Sequence, residues 1–151
     1  MTRTTSPSGK DLSRERVLPS HRDLYYGGEW HAPTSGRYVD TIDPAQDAAL
    51  ASVAEADGTD VDAAVRAAHA AFPAWRALRP AQRGEAMRAA AGILRAHAEE
   101  LAMLDALNTG NPVAEMVADA RVAAHAHEYF AGLAQEAKGA TIPMGPGNLN
   151  Y

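Results

Sequence analysis

The sequence predicts an α-rich fold in which a short antiparallel β meander precedes three or four helices. Three short β-like runs come first, a helical block spans Thr59 to Lys138, and a tail rich in glycine and proline follows. The block is hinged at Asn108-Thr109-Gly110-Asn111-Pro112. At 151 residues the chain has the length of one domain. Because alanine supplies much of its 46% hydrophobic content, the core is expected to be thin.

Residues 1–22 are predicted to form a disordered leader. They are polar, mixed in charge and rich in serine, threonine and arginine. They lack the apolar centre of a secretory signal, and Asp11 and Glu15 oppose the alternative of a transit peptide. The expected location of the protein is therefore the cytoplasm.

Three runs predict the β meander. Leu24 to Trp30 predicts a hairpin, because aromatic residues suit a half-buried strand and Gly27-Gly28 suits a tight turn. Arg37 to Ile42 predicts a second strand that ends at Asp43-Pro44. Leu50 to Glu55 predicts a third strand.

Capping residues and prolines predict the first helix boundaries. Thr59 is the predicted N-cap of the first helix, and Pro73 is predicted to end it. Pro80 suits the first turn of the next helix, in which Gly92 is predicted to allow a close helix crossing. One apolar stripe is predicted along this second helix, at Met87, Ala90, Leu94, Ala98 and Leu101.

The last helix is predicted from Pro112 to Lys138, after a C-cap at Gly110 and before a stop at Gly139. Small residues recur along one of its faces from Val113 to Ala134. This narrow face is expected to pack against a sheet that is missing from the chain. Ala140-Thr141-Ile142 is a further candidate strand.

Composition excludes several classes of function. A net charge of −5 opposes binding to nucleic acid or to an anionic membrane, since both need a basic face. No apolar run reaches the length of a membrane span. The absence of cysteine removes disulfides, thiolate metal sites and thiol catalysis.

The residues predict no catalytic constellation. His125 and His127 lie two positions apart on a helix and point in different directions, so they do not make a metal site. The adjacent carboxylates of Glu99 and Glu100 diverge for the same reason. No glycine loop of the dinucleotide-binding pattern follows a predicted strand.

Several runs, in their order and spacing, resemble the N-terminal segment of the NAD(P)-dependent aldehyde dehydrogenase superfamily. Together they cover essentially everything after Asp23. They are the hairpin Leu24–Trp30, the turn Thr41–Ala45 (similar to T-[VI]-N-P-A), the helix Asp60–Ala68, the pattern Phe72, Trp75, Arg79 and Arg83, the turn Asn108–Pro112 (similar to E-T-G-K-P), and the runs Tyr129–Gly132 and Gly139–Pro143.

The resemblance implies an α/β family fold of which this chain is the α-rich N-terminal part. Residues 23–139 would belong to the cofactor-binding domain, and residues 140–151 would begin an extended oligomerisation arm. The family oxidises an aldehyde to a carboxylic acid with NAD⁺ or NADP⁺, using a cysteine thiolate and a glutamate that activates water. This chain contains no cysteine and stops before the family's cofactor residues, so no catalytic or cofactor-binding residue is expected here. Neither NAD nor NADP is expected to bind the chain alone.

The resemblance also implies two candidate sites. Many members hold a monovalent cation with backbone oxygens of the T-[VI]-N-P turn and an acidic side chain before Gly-Lys-Pro. The matching positions here are Thr41, Ile42 and Asn108, and the asparagine lacks the formal charge of the acid. Val122 lies on the helix that matches one bordering the substrate entrance.

Two functions follow as hypotheses. The first is the N-terminal fragment of an aldehyde dehydrogenase, inactive alone, whose partners are the remainder of that chain and further copies in a homo-oligomer. The alternative is a free-standing helical interaction module or an inactive truncated relative. The module predicts a cooperative thermal transition, whereas the fragment predicts a broad transition with exposed apolar surface.

Overall fold

The computed structural model describes residues 12–136, 138–139 and 146–147. In these residues, strands precede the long helices, and helices form the greater part, as predicted. The elements in chain order are α1 (Arg14–Val17), β1 (Leu24–Tyr26), β2 (Glu29–His31), β3 (Tyr38–Asp43), β4 (Ala48–Ala54), α2 (Gly58–Ala77), α3 (Pro80–Ala96), α4 (Ala98–Thr109) and α5 (Val113–Leu133). The candidate strand at residues 140–142 lies outside the described residues.

Part of the segment predicted as a disordered leader is folded onto the rest of the chain. Leu12 is buried, and α1 follows it. Arg14 Nη2 donates hydrogen bonds to the carbonyl oxygens of Ala49 and Leu50 in β4. The structure therefore differs from the predicted disorder over residues 12–22, because polar composition does not reveal a contact to a distant strand. Residues 1–11 lie outside the described part of the chain.

Two separate antiparallel hairpins replace the predicted meander. β1 pairs with β2 around Gly27 and Gly28, whose φ angles of 63° and 89° confirm the predicted tight turn. β3 pairs with β4 to form a second two-stranded sheet. The predicted short strands before the helices are present, but in the described residues they form two hairpins and not one meander, since β2 and β3 do not pair.

A carboxylate capping box starts α2. Asp57 accepts hydrogen bonds from the amides of Thr59 and Asp60, and Asp60 accepts one from the amide of Asp57. The N-cap is therefore Asp57, not the predicted Thr59. The predicted stop at Pro73 is also wrong, because the helix continues to Ala77. A proline removes one helical hydrogen bond, but it does not prevent the residues after it from remaining helical.

Asp60 also fastens α2 to the loop between β2 and β3. Its side chain is 2% exposed and accepts hydrogen bonds from the amide and the hydroxyl of Thr34. These hydrogen bonds, first that of the Thr34 hydroxyl and then that of the Asp57 amide, lower the pKa of Asp60. This contact holds the N-terminal end of α2 against the loop between the two hairpins.

The lowered pKa predicts a dependence of stability on pH. A carboxyl with a depressed folded-state pKa stabilises the fold above its unfolded pKa, near 4, and this contribution is lost as the pH falls through the folded pKa. Asp60→Asn is therefore expected to lower the thermal midpoint at neutral pH and to reduce its fall in acid. Thermal melts followed by circular dichroism, at a series of pH values from neutral down to below about 4, measure this effect. Asp62→Asn, an exposed neighbour, is the control, and an unchanged acid dependence in Asp60→Asn would contradict the prediction.

A bundle of α3, α4 and α5 contains most of the core. Its buried apolar residues are small, apart from one methionine: Ala91, Ala98, Ala102, Met116, Ala124 and Ala131. The predicted small-residue face of α5 exists, but α3 and α4 cover it. The expectation that this face packs on a sheet missing from the chain is therefore wrong, because small side chains also allow neighbouring helices to approach closely.

Several predicted boundaries of the bundle also change. The predicted stripe from Met87 to Leu101 crosses a break at His97, which separates α3 from α4. Gly110 has a φ of 79° and is the C-cap of α4, as predicted. α5 ends at Leu133, before the predicted Lys138. None of the described helices combines the length and the apolarity that crossing a membrane would require.

Gly84, not Gly92, marks the close crossing of helices. A Cβ on Gly84 would lie 2.8 Å from the carbonyl oxygen of Ala131 in α5. A Cβ on Gly92 would meet no other described part of the chain within 4 Å, apart from the adjoining backbone of its own helix. Both glycines lie in α3, but Gly84 is on the face that packs against α5, whereas Gly92 is on an exposed face.

Candidate functional site

A cavity of about 250 Å³ lies between the β3–β4 hairpin, α4 and the segment that precedes β1. Thr41, Leu50 and Asn108 line it, together with Asp105 and Arg22. It therefore brings together a hydroxyl, an amide, a carboxylate and a guanidinium from three parts of the chain. Apolar side chains form most of the remaining lining.

An irregularity in the β3–β4 ladder shapes one wall of the cavity. Thr41 pairs with Ala51 and Ile42 pairs with Ala49, so Leu50 between them has no direct partner. Such a bulge bends its strand, and here the extra residue is buried. The Thr41 hydroxyl donates a hydrogen bond to the carbonyl oxygen of Ala51, at 3.2 Å.

The three residues of the predicted cation site do not share one environment. Thr41 and Asn108 line the cavity, whereas Ile42 is not in the lining and is 48% exposed. Asp105, which sequence reasoning missed, brings a carboxylate from one helical turn before Asn108. The i, i+3 spacing in α4 was the signal that could have revealed it.

Charge in the cavity is mixed. Thr41, Asp105 and Asn108 supply oxygen atoms of the kind that hard cations bind. Arg22 adds a positive charge to the same lining, which opposes a cation. Among residues 12–136 and the four other described residues, no group of three or more histidine, aspartate or glutamate side chains is placed to hold a metal ion.

A buried carboxylate lies at the end of β3. Asp43 is 1% exposed, and its Oδ1 accepts a hydrogen bond from the amide of Ala45 at 3.0 Å. Its Oδ2 has no hydrogen-bond partner within the described part of the chain. Sequence reasoning treated this residue only as a turn former, although an acid in place of the asparagine of T-[VI]-N-P was a visible difference.

Val122, the predicted substrate-entrance residue, lies on the surface of α5. Its side chain is 65% exposed, and it does not line the cavity. Further along the helix, the exposed rings of Tyr129 and Phe130 meet edge to face, with centroids 5.3 Å apart. The structure thus separates the two predicted sites.

The start of α2 does not fit the pyrophosphate of a nicotinamide dinucleotide. α2 follows β4, which is the order of strand and helix in dinucleotide-binding units, but β4 belongs to an antiparallel hairpin and not to the parallel sheet of such units. The first amides of α2 already bond to the Asp57 carboxylate, which would repel a phosphate. The connection from Glu55 to Thr59 contains a single glycine, Gly58.

Comparison with known proteins identifies the family. The model of the aldehyde dehydrogenase family matches residues 30–151. This chain belongs to the aldehyde dehydrogenase family.

Individual proteins with similar sequences or structures agree with this family assignment. It is 48% identical over 129 residues to aldehyde dehydrogenase tropH of Talaromyces stipitatus, an alignment that covers 85% of this chain and 25% of tropH. Among solved structures, PnpE in complex with nicotinamide adenine dinucleotide superposes with a TM-score of 0.81 and 36% identity, over 85% of this chain and 26% of PnpE. The aldehyde dehydrogenase KauB from Pseudomonas aeruginosa gives a TM-score of 0.84 and 29% identity, over 90% of this chain and 28% of KauB. The chain therefore spans about a quarter of the length of these relatives.

Proposed function

We propose that this chain is the N-terminal part of an aldehyde dehydrogenase that oxidises an aldehyde to a carboxylic acid with NAD⁺ or NADP⁺. In this proposal residues 23–139 contribute scaffold to the cofactor-binding domain, and residues 140–151 begin an oligomerisation arm. The observation that carries the proposal is family membership combined with a match to only a quarter of each relative. The chain has no cysteine, so it has no thiolate to attack an aldehyde carbonyl.

Uncovered apolar surface favours this proposal over a free-standing helical module. Large apolar side chains on α2, α4 and α5 are more than a third exposed, including Phe72, Leu101 and Phe130. Burying such side chains is worth about 1.5–3 kcal/mol each. An independent module would be expected to cover several of them, whereas a part of a larger protein leaves them for its remaining polypeptide.

The proposal names the partners of the complete enzyme. They are the remainder of the dehydrogenase chain, an aldehyde substrate, NAD or NADP, and further copies of the protein in a homo-oligomer. Val122 is proposed to border the substrate entrance, and the cytoplasm is the proposed location. The solved complex of PnpE with nicotinamide adenine dinucleotide supports the cofactor of the complete enzyme.

The purified 151-residue chain is expected to neither oxidise aldehydes nor bind NAD⁺ or NADP⁺. The missing thiol is the reason for the lack of oxidation. The reasons for the lack of cofactor binding are that the sequence contains no G-x-G-x-x-G loop and that the Asp57 carboxylate occupies the start of α2. Absorbance assays of cofactor reduction with a panel of aldehydes, and calorimetric titration with each cofactor, measure the two activities. KauB serves as the positive control. Reproducible turnover by the purified chain would overturn the claim of inactivity, and the intact mass of the native protein tests the claim of a longer polypeptide.

We also propose that Thr41, Ile42 and Asn108 provide oxygens for a monovalent cation, which the Asn108 amide binds weakly because it carries no charge. Asn108→Asp would strengthen binding by adding a carboxylate to the cavity wall. The thermal midpoint of this variant is expected to be higher in sodium or potassium chloride than in choline chloride of equal ionic strength. Asn111→Asp is the control. Equal midpoints of Asn108→Asp in all three salts would reject the cation site.

A further inference from the structure

The 20-residue helix α2 buries no apolar side chain. Its single buried residue is Asp60. Val61, Val65, Phe72 and Trp75 share one face, which we call the α2 stripe, and they are between 44% and 62% exposed. In proteins most helical stability comes from the packing of an amphipathic face and not from helix propensity, so the uncovered apolar face of α2 lacks its usual source of stability.

Contacts that hold α2 lie away from the α2 stripe. At the first turn, Asp60 bonds to Thr34. About two turns further on, the Cβ of Ala67 lies 3.7 Å from the place where a Cβ on Gly27 would be. Ala63 and Ala64 are also partly covered on this side. The hairpins therefore orient α2 so that the α2 stripe faces outward.

A groove of about 310 Å³ extends the α2 stripe towards α3. Phe72 and Trp75 form its apolar part, and Arg76 and Arg83 form its charged part. One nitrogen of the Arg83 guanidinium donates to the carbonyl oxygen of Leu78, at 2.6 Å, which leaves further donors for a ligand. Arg76 forms no ion pair with any described residue. Aromatic rings beside two guanidinium groups complement apolar side chains that are flanked by a carboxylate.

We propose that the α2 stripe and this groove bind a segment of the longer dehydrogenase polypeptide that lies beyond residue 151, with apolar side chains against Phe72 and Trp75 and a carboxylate against Arg76 or Arg83. The inference rests on the proposed function. Relatives support it, because in PnpE and KauB the region superposes over 85% and 90% of this chain and belongs to a polypeptide about four times as long. The hairpins and the bundle leave the α2 stripe open, and in each relative about three quarters of the polypeptide lies outside the matched region and is available to cover it.

Site-specific photo-crosslinking in the full-length native protein tests the proposal. A benzophenone amino acid replaces Phe72 in one variant and Arg66, which is exposed on another face of α2, in the control. Mass spectrometry then identifies the crosslinked peptides and the intact mass of the protein. The expected result is an intrachain crosslink from position 72 to an apolar segment beyond residue 151 that contains aspartate or glutamate. The control at position 66 is expected to lack this crosslink.

Each other result overturns the inference in a distinct way. A crosslink from position 72 to residues 1–151 of a second copy would make the α2 stripe a contact between copies. No crosslink above the level of the Arg66 control, in a protein whose mass is that of a long dehydrogenase, would reject the docking surface and leave the proposed function intact. An intact native mass equal to that of the 151-residue chain would reject the proposed function, and the docking surface with it.

Discussion

Gly84→Ala is expected to destabilise the protein by about 1–3 kcal/mol, the usual cost of forcing extra atoms into a packed interface. The new methyl group would lie 2.8 Å from the carbonyl oxygen of Ala131, which belongs to the backbone of α5 and cannot rotate away. The crossing of α3 and α5 would have to open by several tenths of an ångström. Urea unfolding of the native protein, followed by far-ultraviolet circular dichroism, measures the loss.

Gly92→Ala is the matched control for this prediction, because it makes the same chemical change in the same helix. Apart from the adjoining backbone of α3, no atom of the described residues lies within 4 Å of a Cβ at position 92. Alanine is favoured over glycine in a helix by about 1 kcal/mol, so Gly92→Ala is expected to raise the unfolding midpoint. Opposite shifts of the two variants are the expected result. A Gly84→Ala variant as stable as Gly92→Ala would contradict the close crossing at Gly84.

Ala124→Leu is expected to lower the free energy of unfolding by about 1–3 kcal/mol and to loosen the packing of α3, α4 and α5. Ala124 is completely buried in the middle of α5, which packs against α3 and α4. The added carbon atoms cannot be accommodated by a solvent-facing rotamer, so the helices must separate. Loss of stability should therefore be accompanied by increased binding of a dye that reports exposed apolar surface.

Ala123→Leu provides the comparison for the same substitution one position earlier. Ala123 is exposed, and leucine is nearly as favourable as alanine in a helix, so the unfolding midpoint is expected to change little. If Ala124→Leu also left the unfolding midpoint unchanged, the α3–α4–α5 interface would have to be much looser than the buried alanines indicate. If both variants were strongly destabilised, the assignment of the buried face of α5 would be wrong.

Local backbone chemistry could be predicted from the sequence because it depends on neighbouring residues. Gly27 and Gly28 supply the positive φ angles of a hairpin turn, and Gly110 supplies those of a helix end. Pro80 starts α3 as expected. The wrong prediction that α2 ends at Pro73 has a local cause as well. A proline within a helix has an energetic cost, but that cost does not always end the helix.

The candidate site shows where such local reasoning ends. The family resemblance placed Thr41 and Asn108 in one site, and they do line one cavity, but it did not indicate Asp105 or Arg22 beside them. Those neighbours decide the charge of the cavity. Asp105 and Arg22 reach the cavity because α4 and the segment before β1 pack against the β3–β4 hairpin. No sequence motif specifies this packing.

The sequence by itself determined the family, the order of strands and helices, and the absence of a thiol, because each follows from residue identity and short spacings. Only the tertiary structure decided which of the two glycines in α3 meets α5, which helices cover the alanines of α5, and which apolar face remains uncovered. The physical reason is that periodicity defines a face of a helix but not the partner of that face. Partner choice depends on how distant elements pack together, and in α2 that packing leaves its apolar face exposed.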